Sequence, residues 1–76
     1  MIDSANINNT SVITVLAKIK SERIIKNYTQ AYVANKLGIS QNAYSKIESG
    51  ASKLSVSTLF SLSYIFDIDV LAFFEA

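Results

Sequence analysis

Gly38 stands in the middle of a stretch, Thr29 to Gly50, whose apolar residues are spaced for two short helices with no room for an ordinary loop between them. Val33, Ala34 and Leu37 precede it and Ile39, Ala43, Tyr44 and Ile47 follow, giving each side one inward stripe at helical spacing. Leu37-Gly38-Ile39-Ser40 reads as stop, turn and restart. Gly38 can take a positive φ just past a helix end, and the Ser40 hydroxyl can accept from the first open amides of the next helix. So short a turn forces a steep crossing. Ala34 keeps the crossing close, because a larger side chain there would push the helices apart.

With 76 residues the chain has room for one small domain. Proline is absent and Gly38 and Gly50 are its two glycines, so the punctuation of an all-β fold is missing and an all-helical fold is the economical reading. Cysteine and histidine are absent too, which removes disulfides, thiol nucleophiles, imidazole bases and the usual zinc ligands. The acids are scattered. No acid–base pair, metal site or cofactor can be nominated, and an enzyme is not expected. The sequence contains no eighteen-residue apolar run and no basic start with an apolar core, so neither a membrane span nor a signal peptide is expected and the cytoplasm is the default.

A net charge of +1 looks poor for a nucleic-acid binder, but its distribution changes the argument. All seven cations lie between Lys18 and Lys53, against Glu22 and Glu48, for a net of +5 in that segment. Asp67, Asp69 and Glu75 give residues 54 to 76 a net of −3. One region can therefore attract a polyanion while the other does not, and screening over about 10 Å keeps them from cancelling.

The residues Thr29, Gln30, Ala34, Gly38, Ile39, Ser40, Tyr44, Ser45, Glu48 and Gly50 fall on the pattern T-Q-x-x-x-A-x-x-x-G-[IV]-S-x-x-x-[IVY]-S-x-x-E-x-G, with Lys20 and Arg23 as an upstream K-x-x-R. The stretch resembles the helix-turn-helix of the phage repressor and Cro family, the XRE type, over roughly residues 12 to 74. The resemblance implies a lambda-repressor-like DNA-binding domain, a compact bundle of about five helices, in residues 11–76. It implies phosphate contact at Gln30 and base reading at Gln41, Asn42, Ser45 and Lys46. Family members that carry the arginine commonly pair it with the glutamate two residues before the closing glycine, here Arg23 with Glu48, tying helix one to helix three. Many also carry a proline near Leu54, which this chain lacks.

Taken in order, residues 1–10 are rich in Asn and Ser and read as a flexible arm without the Lys or Arg that would enter a minor groove. Helix one is predicted from Ser11 to about Asn27, capped by Thr10 or Ser11, with Val12, Val15, Leu16, Ile19 and Ile24 inward. Thr29 caps helix two, where the open first amides beside Gln30 can form an anion clasp. On the third helix, Ser40 to Ser49, the residues left facing out are Ser40, Gln41, Asn42, Ser45, Lys46 and Ser49. Glutamine and asparagine can bond N6 and N7 of adenine in the major groove, and lysine can reach guanine or a phosphate. Ser40, Ser49 and, in the following loop, Lys53 are assigned with Gln30 to backbone phosphates.

Helix four is predicted from about Ser55 to Phe66, with Val56, Leu59, Phe60 and Leu62 or Ser63 facing the core. Asp67-Ile68-Asp69 breaks the pattern and Asp69 is placed as cap of a last helix, Val70 to Glu75. Val70, Leu71, Phe73 and Phe74 are many apolar groups for so short an end, and Leu71, Phe73 and Phe74 are assigned to a dimer interface. The ending VLAFFEA also resembles the tail through which small controller proteins of restriction-modification systems dimerise. The expected function is a homodimeric transcriptional regulator binding double-stranded DNA, a repressor type of protein on a palindromic operator. The alternative is a module of the same fold with a protein partner, an antitoxin or co-regulator.

Overall fold

The computed structural model describes residues 4–75, with side chains from Val12 onward. Four helices, α1 (Ser4–Ile25), α2 (Gln30–Leu37), α3 (Gln41–Ser49) and α4 (Val56–Phe66), are followed by a closing 3-10 helix, Val70–Phe74, and there is no strand among the described residues. None of these helices is long and apolar enough to cross a membrane.

Helix α1 starts seven residues before the expected Ser11, so Thr10 and Ser11 lie inside it rather than capping it. Once a helix is nucleated each added residue gains a backbone hydrogen bond, and Asn, Ser and Thr oppose this by only a few tenths of a kcal/mol each. Most of the expected arm is therefore helix; its residues 1–3 lie outside the described residues. The other end comes two residues earlier than expected because Asn27 takes a left-handed conformation (φ 61°). The Tyr28 amide then donates back to the Arg23 carbonyl at 3.0 Å, the closing bond of a Schellman turn. Asp67 (φ 55°) ends α4 in the same way, with Ile68 donating to the Ser63 carbonyl. Asn and Asp are among the few residues other than glycine that adopt this geometry readily.

The core is Val15 and Ile19 of α1, Val33 and Ala34 of α2, Tyr44 of α3, Leu59, Leu62 and Phe66 of α4, and Phe73. On α1 the expected stripe is narrower than read: Leu16 is half-buried, and Val12 and Ile24 are exposed. On α4 the expected face is turned. Leu59, Leu62 and Phe66, at i, i+3 and i+7, go inward, while Val56 and Phe60 are 69% and 57% exposed. The helix is apolar nearly all round, so periodicity left two stripes to choose from and packing against α1 and α2 selected one.

Asp69 caps the closing turn, its Oδ1 accepting from the Leu71 amide at 3.0 Å. That turn swings Phe73 into the core, edge-on to Phe66 with ring centres 6.3 Å apart. Phe73, expected at a dimer interface, is fully buried within the protein's own fold and has no surface to offer a second copy. Leu71 and Phe74 remain 67% and 57% exposed.

Candidate nucleic-acid interface

Local chemistry sets the geometry of α2 and α3. The Thr29 hydroxyl oxygen accepts from the Tyr32 amide at 3.0 Å and the Ser40 oxygen from the Ala43 amide at 3.1 Å, so each helix opens on its own cap. Gly38 is left-handed (φ 74°), and Ile39 donates to the Ala34 carbonyl at 3.0 Å to close the turn. Gly50 ends α3 with φ 87°, and its missing side chain leaves room for Leu16 of α1.

One buried carboxylate ties the helices together. Arg23 of α1 donates from Nε to Glu48 Oε2 at 2.9 Å and from Nη2 to Oε1 at 3.0 Å, and its Nη1 donates to the Tyr28 carbonyl at 2.9 Å. Gln30 of α2 donates to Oε1 at 3.2 Å. The Tyr44 hydroxyl donates to Oε2. Each oxygen of Glu48 thus accepts two hydrogen bonds, about the full capacity of a carboxylate. Burial pushes Glu48 up, and the bonds from Arg23, Tyr44 and Gln30 outweigh it, holding the carboxyl below its ordinary value. Burial, reinforced by the Glu48 hydrogen bond, drives the Tyr44 hydroxyl far above its ordinary value, so it stays a donor. The Glu48 bond in turn raises Arg23.

Sequence reasoning placed Arg23 against Glu48 but gave Gln30 only to phosphate and Tyr44 only to the core. The Tyr44 contact had a readable signal, since it precedes Glu48 by four residues on one helix. Gln30 reaches the cluster through tertiary folding and had none; the Tyr28 carbonyl is brought beside Arg23, five residues back, by the left-handed turn at Asn27.

Gln41, Asn42 and Lys46 are exposed on the outer face of α3, Ser45 beside them is half-buried, and Ser40 and Lys53 are exposed at its two ends. The side chains of Gln41, Asn42 and Lys46 form no hydrogen bond within the described chain. Ser49 is different. Its hydroxyl donates to the Lys46 carbonyl at 3.2 Å, so its proton is spent on its own helix. Lys36 lies over the Tyr32 ring, 5.4 Å from its centre.

This geometry is a capped helix, a left-handed glycine turn and a second capped helix with an open polar face. A helix-turn-helix family model matches residues 19–73, which is more than half of the chain. The comparisons with curated proteins and with solved structures found no match. The chain belongs to the XRE-type helix-turn-helix family of DNA-binding transcription regulators.

Proposed function

We propose that this protein is a homodimeric regulator, working in the cytoplasm, that lays α3 in the major groove of a palindromic operator. Gln41, Asn42, Ser45 and Lys46 face the bases, and Gln30, Ser40 and Lys53 hold the backbone. The observation that carries this reading is the outer face of α3: polar, exposed, and with Gln41, Asn42 and Lys46 hydrogen-bonded to nothing else in the described chain. Its donors and acceptors are therefore open to base edges.

A single short helix discriminates weakly, whereas two related by a twofold axis read half-sites about 34 Å apart. The apolar surface for the second copy is supplied by Leu71 and by a groove that Val12, Leu16, Ala51, Leu54, Val56 and Phe74 line, directly behind the C-terminal end of α3. Lys53 is the one charged residue in its lining.

Selection of bound duplexes from a random pool tests the proposal. A recovered palindrome, bound with steep salt dependence, is the expected result. No binding to any duplex at low salt would remove it. The second reading, a protein-interaction module, is favoured by Phe60 and Tyr64, which stand exposed on α4; binding to a protein with no affinity for duplexes would select it.

A further inference from the structure

Gln30 opens α2, and its side-chain amide is fixed to the protein rather than left loose. Nε2 donates to Glu48 Oε1, an oxygen shared with Arg23 Nη2. A carboxylate only accepts, so this contact decides which end of the amide points inward. The nitrogen goes in with one N–H. Its second N–H and the carbonyl oxygen form no other side-chain hydrogen bond in the described chain.

We propose that Glu48 is a positioning residue for DNA: it holds the Gln30 amide so that the remaining N–H joins the open first amides of α2 in clasping one backbone phosphate. This rests on the reading of α2 and α3 as the DNA-binding unit. A freely rotating glutamine would lose side-chain entropy on docking, and the bond to Glu48 has already removed that freedom. The carboxylate does not itself repel the phosphate, because both oxygens are occupied by donors and Arg23 lies against it as counter-charge.

The test compares duplex affinity in four proteins: wild type, Gln30→Met, the pair replacement Arg23→Met/Glu48→Met, and all three changes together. Exchanging a buried ion pair for apolar residues of similar volume is often neutral for folding, so the replacement removes the acceptor of Gln30 without leaving a lone charge. Gln30→Met is expected to weaken wild-type binding about tenfold, as for one lost hydrogen bond to a charged group. In the pair-replaced protein the same change is expected to cost less than about twofold. Ethylation of one particular phosphate, which interferes with wild type, is expected to interfere less, and to the same reduced extent, in Gln30→Met and in the pair replacement, where only the backbone amides of α2 still hold it. A purely structural role for Glu48 would not single out that phosphate.

An equal loss from Gln30→Met in both backgrounds, or no loss in wild type, overturns the proposal. Should the pair replacement not fold, Glu48→Asp is read in the same way. It keeps the charge beside Arg23 but draws the carboxylate back by one methylene, and an undiminished Gln30→Met loss there is equally fatal. Wild type that binds no duplex at low salt overturns this proposal together with the DNA reading beneath it, whereas binding with additive losses overturns this one alone.

Discussion

The Arg23 guanidinium meets the Glu48 carboxylate edge to edge, Nε to Oε2 at 2.9 Å and Nη2 to Oε1 at 3.0 Å, across twenty-five positions of sequence. With side-chain exposures of 13% and 3% the pair is shielded from water, and losing one member strands the other. Arg23→Ala is expected to cost about 3–5 kcal/mol, a large share of the roughly 5–15 kcal/mol that holds a small domain folded. Tyr44→Phe, which removes one donor and keeps the ring, is expected to cost about 1–3 kcal/mol. Urea unfolding followed by circular dichroism measures both, and an Arg23→Ala loss under about 1 kcal/mol would show the pair to be surface-like.

The same cluster sets limits in pH. Glu48 titrates lower in the folded protein than in the unfolded chain, so its contribution is intact above its ordinary value of 4.5 and is lost as pH falls through the folded value. Tyr44 titrates higher when folded, so its contribution is intact below its ordinary value of 10.0 and is lost as pH rises through the folded one. Unfolding midpoints are expected to hold level between these limits and fall outside them. Glu48→Gln is expected to flatten the acid limb and Tyr44→Phe the alkaline limb; limbs of wild-type steepness in those variants would place the titrations elsewhere.

The two glycines should differ in their tolerance of a methyl group. Both are left-handed, which costs alanine on the order of 1 kcal/mol. At Gly38 nothing lies within 4 Å of the added carbon, whereas at Gly50 it meets Leu16 Cδ1 at 3.3 Å. Gly50→Ala is expected to destabilise more than Gly38→Ala, and thermal melts giving the reverse order would contradict the packing of α1 on the end of α3.

Neighbouring phenylalanines in the tail divide their labour. Phe73→Ala empties a core site and is expected to cost about 3–5 kcal/mol of folding stability. Phe74→Ser changes an exposed position and is expected to leave the fold intact while shifting the protein toward monomer in sedimentation. An unchanged dimer would take Phe74 out of the interface.

On DNA, Gln41→Ala is expected to weaken specific sites by about 1–3 kcal/mol with little effect on random duplex, while Lys53→Ala weakens both and reduces the salt slope by about one. Equal losses on every sequence from Gln41→Ala would refute its base-reading role.

The parts legible in advance are those in which the chain speaks to its near neighbours. Thr29, Ser40, Gly38 and Gly50 act within a few residues of themselves, so caps and turns could be placed from order alone. Val56 and Leu59 are both apolar residues on an apolar helix, and only the docking of α4 decides which is covered. Phe73 and Phe74 pose the same problem at adjacent positions. Gln30 could be seen at a helix start, but its bond to Glu48 exists only once α2 and α3 are folded together. The early start of α1 was hidden by residues of weak preference that join a helix already begun.

On the proposed DNA reading, the hydrogen bond from Gln30 of α2 to Glu48 of α3 makes the clasp and the reading surface approach a duplex as one body. The backbones of the two helices then have little freedom to shift against each other to meet an imperfect fit, so the misfit falls on the nucleic acid. Sequence steps that twist or bend cheaply should then be favoured even where no side chain touches them, and the operator would be chosen partly by its mechanics.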